Sequence, residues 1–470
     1  MSHLSTTAVP APTEPAGATP PGTGHPRAAL GAAMLGFFVV ALDSQVVNVA
    51  LPSIRTDLGG GLAGLQWIVT GYTLMFSALI LFAGTFSERV GAKRAYGAGM
   101  ILFVLASAAC GFAPGLGALV VARFVQGLGA ALITPTALAL IREAYTDAGQ
   151  RACAIAYWAM GGSIAAAAGP IVGGALTQLD WRFIFFLNLP VGVLALAVLS
   201  RVAASPRRAA PFDWTGQLTA VVGLAALTFG IIEGGDRGYG HPAIVLALGL
   251  AVLSAVVFVL TQSRGAHPMV PLPLFASARV AVALAASFIG MAAFYGVVFV
   301  QSLYFQQVRG ESAFGTGLLF LPMTALVAAG SPVVPRIAAR FGVRVPIIGG
   351  QVVLVGGLLA LACVPASTPP WVVALLMVPV GVGGSFTVPP LTSLVIDSVP
   401  VHRAGTASGV INMFRQMGGS LGVAAVGAVL AVQTSFTAGL RTSLLTLAVL
   451  VTATIVAGLL LRRVGGAERA

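Results

Sequence analysis

Long apolar runs, broken at near-regular intervals by short polar stretches, follow one another from residue 28 to residue 461. Crossing the hydrocarbon layer as a helix takes roughly 20 mostly apolar residues, and a window of that length predicts about fourteen spans. They cover residues 28 to 51, 65 to 86, 95 to 113, 116 to 141, 152 to 176, 182 to 201, 214 to 233, 243 to 262, 280 to 304, 314 to 334, 345 to 365, 370 to 395, 404 to 430 and 440 to 461. Residues 1 to 27 break the pattern. They are rich in Ala, Pro, Thr and Gly, hold almost no large apolar side chain, and read as a disordered cytoplasmic tail. The run after Arg27 has the look of a signal-peptide core, but it is too long for one, contains Asp43 and precedes many more spans, so it reads as a retained first helix.

An internal repeat organises the spans. ERVGAKR (88 to 94), after the second span, recurs as ARFGVRV (339 to 345), after the tenth, and the same offset carries the first span onto the ninth. The expected plan is an all-α integral membrane protein: a six-helix bundle over 28–201, two inserted helices within 202–265, a second six-helix bundle over 266–461 and a short cytoplasmic tail at 462–470. Repeated halves around a midplane site are a transporter plan.

Charge sets the orientation. Of 25 Lys and Arg residues, 18 fall on one side of the predicted spans and 5 on the other (Arg55, Arg182, Arg237, Arg309 and Arg441), with Arg123 and Arg415 left inside spans. Cytoplasmic loops carry the excess of positive charge, so a multi-pass protein of the cytoplasmic membrane with both termini in the cytoplasm is expected. The whole composition agrees: 57% of the 470 residues are hydrophobic and 8% charged, a balance that would leave a soluble domain covered in apolar patches. The net charge of +12 is spread through short loops instead of one face that could track phosphates, so no nucleic acid partner is expected. No lysine follows a glycine, which removes a P-loop, and the five histidines lie in the tail or in loops. Neither an enzyme nor an ATP-driven pump is expected.

Polar residues inside spans are expensive and mark function by default. Asp43 and Arg123, in the first and fourth spans, lie at similar depth by residue counting, with Asn48 and Gln126 on the same helices. In the thirteenth span Ser408, Asn412, Arg415 and Gln416 share one face, a stripe suited to a water-filled cavity. Burial favours the neutral form of a carboxyl group and a nearby guanidinium favours the ionised one. Movement of Arg123 relative to Asp43 would therefore switch proton affinity; the alternative is a static bridge bracing two helices. Tyr72 and Phe76 on the second span, and Ser287, Met291, Phe294, Tyr295 and Val298 on the ninth, are candidate cavity walls or simple packing. Little acid remains inside the spans, which favours neutral or weakly charged substrates.

Several motifs resemble those of the major facilitator superfamily. GTFSERVGAKR (84 to 94) resembles its cytoplasmic loop pattern, with Glu88 where the family has Asp; Gly84 and Gly91 would permit the turn, and Glu88, Arg89, Lys93 and Arg94 would form a gate loop. Arg123, Gln126 and Gly127 resemble the Arg-x-x-Gln-Gly of the fourth span. GGSIAAAAGPIVGG (161 to 174) aligns small residues in two stripes, with Gly161, Gly169 and Gly173 on one and Pro170 and Gly174 on the next, fit for close helix packing. It resembles the fifth-span motif that marks antiporters in that superfamily. LDSQVVNVALP (42 to 52), DWRFIFFLNLPVG (180 to 192) and AGTASGVINMFRQMGGSLGVA (404 to 424) resemble first, sixth and thirteenth spans of its fourteen-span drug:proton antiporter branch, the multidrug and antibiotic exporters. The resemblance implies the major facilitator fold and proton-driven export of small hydrophobic or amphipathic drugs. It further implies the proton as coupling ion with no cofactor, the lipid bilayer as surroundings and a monomer. A metabolite or sugar carrier of the same fold is the alternative.

Overall fold

The computed structural model describes residues 25–207, 211–265, 267–330, 333–365, 367–400 and 404–467, and among them every regular element is a helix. The expected N-terminal tail lies outside the described residues up to position 24, as do Arg208, Arg403 and Arg469. The first half comprises α1 (Pro26–Leu58), α2 (Leu62–Val90), α3 (Ala92–Gly111), α4 (Leu116–Ala144) and α5 (Ala148–Leu179), then α6 (Phe183–Phe186) and α7 (Asn188–Leu199). Next come α8 (Trp214–Arg237), α9 (Pro242–Arg264) and the short α10 (Pro273–Ala276). The second half begins with α11 (Ala278–Leu303), which runs into a π-helical turn at Tyr304–Val308. It continues through α12 (Ala313–Gly330), α13 (Val334–Phe341), α14 (Arg344–Ala362), α15 (Pro370–Asp397), α16 (Ala404–Val432) and α17 (Phe436–Ala467).

Among the described residues, 13 helices are long and apolar enough to cross a membrane. The span expected at 182 to 201 differs from the rest: it is the shorter apolar stretch Phe183–Leu199, broken at Leu187 between α6 and α7. Pro190 falls in the first turn of α7, where a missing N–H costs nothing, and so the helix restarts there. The span expected at 314 to 334 is described as α12 up to Gly330, and Val334–Phe341 forms α13, with residues 331 and 332 outside the described residues.

Local chemistry sets several boundaries. Asp147 caps α5 by accepting from the Gln150 N–H, and Asp213 caps α8 through the Gly216 N–H. Gly91, at φ +91°, is the single residue between α2 and α3, a conformation that only a residue without Cβ adopts freely. The expected turn is thus narrower than the motif: Gly84 lies within α2, with no neighbour within 4 Å of where a Cβ would stand.

The two halves pack alike. α1 lies on α5 and α7, α2 on α4, and α3 on α4 and α7; correspondingly, α11 lies on α16 and α17, α12 on α15, and α14 on α15 and α17. They meet along two seams, α2 with α16 and α5 with α12. The inserted helices α8 and α9 pack on each other, and α8 rests against both α2 and α16. Two bonds fasten α8 to α2: Gln217 Nε2 donates to the Ala78 carbonyl at 2.8 Å, and Trp67 Nε1 donates to Glu233 at 3.0 Å.

At the end of the bundle where α1 stops and α2 begins, the halves are bonded to each other. Gln66 Nε2 donates to the Ala424 carbonyl at 2.7 Å, Ser302 Oγ to the Asn48 carbonyl at 2.6 Å, and Gln306 Nε2 to the Val49 carbonyl at 2.9 Å. Leu51, Ile54, Leu65, Phe299 and Leu303 from both halves fill the same end with apolar packing.

Candidate functional site

The polar centre of the first half is built on α1, α3, α4 and α7. Asp43 and Arg123 are buried, at 0% and 1% exposed, and Arg123 Nη1 meets Asp43 Oδ2 at 2.5 Å. Such burial is tolerable only when the remaining lone pairs and protons find partners. Here they do: Gln126 Nε2 donates to Asp43 Oδ1 at 2.8 Å, and Asn188 Nδ2 donates to the same oxygen at 2.9 Å. Arg123 gives Nη1 also to Gln126 Oε1 at 2.7 Å and Nε to the Ile68 carbonyl at 3.0 Å. Ser107 Oγ accepts from both Gln126 and Asn188, at 3.2 and 2.9 Å, and the Cys110 thiol reaches Gln126 Oε1 at 3.6 Å.

Spacing and small residues make the arrangement possible. Arg123 and Gln126 are three apart on α4 and so share a face. A Cβ at Gly127 would collide with the Tyr72 carbonyl, so its absence lets α4 settle onto the α2 backbone and brings Arg123 to Ile68. The guanidinium lies over the Tyr72 ring at 4.3 Å and the Phe185 ring at 5.8 Å. Tyr72, expected as a cavity wall, is therefore enclosed: it backs Arg123, and its hydroxyl donates to the Val40 carbonyl at 3.3 Å. Phe76 is buried against it, edge to face.

The remaining candidates fall into three places. Asn48 is buried one turn beyond Ser44, whose carbonyl accepts its Nδ2 at 3.1 Å, and among the described residues its Oδ1 has no partner. It does not join the Asp43 network. Around α16, Asn412, Arg415 and Gln416 are half-buried; Arg415 Nη1 donates to Asn412 Oδ1 at 3.3 Å, and Asn412 Nδ2 donates to the Ser408 carbonyl at 2.9 Å. Met291 and Phe294 on α11 are half-buried, whereas Tyr295, Ser287 and Val298 are buried.

In the loop expected to act as a gate, Glu88, Arg89 and Arg94 are exposed, and Arg89 stands over the Phe212 ring at 5.0 Å. Lys93 turns toward the segment after α7: Nζ donates to the Ser200 carbonyl at 3.3 Å and to the Val202 carbonyl, and its N–H donates to Ser205 Oγ at 3.0 Å. Ser205 in turn donates to Glu143 at 2.5 Å. Among the described residues, the bonds of Lys93 stay within the first half and the segment that follows α7.

The α5 stripes meet two different partners. A Cβ at Gly169 would lie 2.5 Å from Gln45 Cβ, and one at Gly173 2.8 Å from the Val46 carbonyl oxygen, so this edge receives α1. Gly161 approaches Met34 of α1 more loosely, at 3.7 Å. On the next edge a Cβ at Gly174 would lie 2.5 Å from the Ala313 carbonyl oxygen, and one at Gly317 would strike the Pro170 carbonyl. That edge receives α12 of the other half.

Sequence reasoning missed Asn188, Ser107 and Cys110 as members of the Asp43 network. Asn188 sits in the quoted DWRFIFFLNLPVG, so its signal was a polar residue in a motif; what was lacking was the break at Leu187 that sets its direction. Among the described residues, no three His, Cys, Asp or Glu side chains gather where a metal could bind.

Comparison with known proteins places this geometry. The sequence pattern of the Major Facilitator Superfamily matches residues 33–423. The chain is 39% identical to the "Multidrug resistance protein Stp" of Mycobacterium tuberculosis over 409 residues, 86% of this chain and 75% of that one. It is 36% identical to the "Methylenomycin A resistance protein" of Streptomyces coelicolor over 397 residues, 84% of each. A crystal structure of a peptide transporter, POT, aligns with a TM-score of 0.68 at 17% identity, covering 95% of both chains.

Proposed function

The chain belongs to the major facilitator superfamily, a family of multi-pass membrane transporters, and from that premise we propose that it is a proton-driven antiporter of the fourteen-span drug-exporting branch. Its cargo is hydrophobic or amphipathic drugs or antibiotics, expelled across the cytoplasmic membrane, with both termini on the cytoplasmic side. Relatives named for multidrug and methylenomycin A resistance support export of toxic compounds. The thirteen long helices together with the broken α6–α7 segment support the span count.

The observation that carries coupling is the enclosure of Asp43. A proton arriving there cancels the charge that holds Arg123 Nη1. Arg123 keeps its other bonds, to Ile68 on α2 and Gln126 on α4, and its stacking on Tyr72. What slackens is the hold on α1 and α7, the elements carrying Asp43 and Asn188. Protonation is thereby converted into freedom of the inner helix, the event that alternating access needs.

The test begins with a resistance panel in cells expressing the protein, to pick a transported compound. In proteoliposomes the wild type should then drive that compound uphill against an imposed proton gradient, while Asp43→Asn should bind it and exchange it only downhill. Uphill transport by the Asn variant would sink the role of Asp43 as proton carrier.

A further inference from the structure

The interior holds one more cation than the coupling pair uses. Arg415 lies near the middle of α16, and its single hydrogen bond among the described residues is a long one, 3.3 Å, to the neutral amide oxygen of Asn412 one turn back. Its Nε is covered from solvent and has no partner among the described residues. No carboxylate lies within 4 Å of it among the described residues, where the ion pairs are Arg123 with Asp43, Arg182 with Asp57 and Asp180, and Arg237 with Glu233. A guanidinium in this position costs several kcal/mol unless something meets it.

Asp43 cannot be that partner. Its Oδ2 is taken by Arg123, and its Oδ1 by both Gln126 and Asn188. Asp43 is also the one acid among the fully buried described residues. With the pair on α1 and α4 neutral as a unit, the interior carries one uncompensated positive charge.

The surroundings of Arg415 fit an amphipathic visitor. Its electrostatic neighbour is Tyr295 on α11, which also lies beside Ser44 on α1, and Gly419, one turn along α16, lets the Tyr295 ring lie against the helix. Met291 and Phe294, on the same α11 face, are half-buried, as is Arg415 itself. The guanidinium on α16 thus lies near Tyr295 of α11, the helix whose same face carries the half-buried Met291 and Phe294, and Tyr295 in turn reaches α1 of the other half.

We propose that Arg415 receives an acidic group of the exported compound, so that the preferred substrates are amphipathic anions, aryl or alkyl carboxylates and comparable oxyanions, instead of neutral molecules or cations. A guanidinium offers a carboxylate two parallel N–H donors, and the apolar remainder of the compound lies along Met291 and Phe294. This rests on the reading of the protein as an exporter but not on how export is driven.

Equilibrium binding without any gradient tests it. Purified full-length protein is titrated calorimetrically with naphthylacetate, biphenylacetate and pyreneacetate, and with the neutral amide of each, so that size and charge vary separately. The expected result is at least one acid bound about tenfold tighter than its amide, about 1.4 kcal/mol. That preference should fall to about onefold in Arg415→Gln with amide affinity unchanged, and should be partly kept in Arg415→Lys, which retains charge but not the fork. Equal affinity of acids and amides in the wild type, binding of none of the six, or a preference that survives Arg415→Gln overturns the assignment. Proton-driven export with no preference for acids would defeat this inference alone, and acid binding without proton-driven export would defeat only the coupling.

Discussion

Asn188 shows what a single residue contributes to the buried Asp43 network. It supplies one of two neutral donors to Asp43 Oδ1 and bonds Ser107 as well. Asn188→Ala removes both bonds and leaves Asp43 Oδ1 and Ser107 Oγ with Gln126 as their shared donor, a loss of about 1–3 kcal/mol. The purified variant should melt earlier than the wild type and exchange substrate more slowly. Cys110→Ala deletes only a weak thiol bond at 3.6 Å and should shift melting less; an equal shift in the two would show that the site does not depend on Asn188. At this scale the sequence showed half of the site. Asp43 and Arg123 could be matched by counting residues from their helix ends, because spanning helices share a length. The direction of Asn188 could not be counted, since hydropathy does not register the break at Leu187. Tyr72 was open to misreading for another reason: an aromatic at helical spacing has the same pattern whether it faces a cavity or backs a cation.

The helices themselves were the most legible part. In a bilayer every backbone polar group must be satisfied within the helix, so long apolar runs have one structural outcome, and boundaries shifted by at most seven residues, at the end of α1. The small-residue stripes of α5 were equally visible, but not that one edge serves α1 and the other α12, because partner identity is not local. Substitution separates these cases. Gly173→Leu forces a side chain into the Val46 carbonyl and should part α1 from α5, cutting transport more than tenfold and lowering the melting temperature. Gly84→Ala, with open space around it inside α2, should leave transport unchanged and stabilise by about 0.5–1 kcal/mol. Transport surviving Gly173→Leu would show that α1 and α5 need not touch so closely.

For the whole molecule, the bonds between halves at the α1–α2 end are expected to hold that end shut. Gln66→Ala removes a 2.7 Å bond to the Ala424 carbonyl, which keeps its place in the α16 ladder; about 1 kcal/mol corresponds to roughly a fivefold rise in the opened fraction. With Cys110, Cys153 and Cys363 replaced, a cysteine introduced at Ala50, buried near that end, should react with an impermeant maleimide faster by about that factor. Unchanged labelling would show that apolar packing alone keeps the end shut.

The repeat between halves was readable in the loops, but not where the inserted pair would settle, since nothing in α8 or α9 spells out α2 and α16 as neighbours. That placement makes a symmetric carrier lopsided. One flank, the α2–α16 seam, carries α8 across it, while among the described residues neither inserted helix packs on the α5–α12 seam. The two seams are thus held by different means: one is braced from outside by an added helix, the other from within by backbones that touch at Gly174 and Gly317.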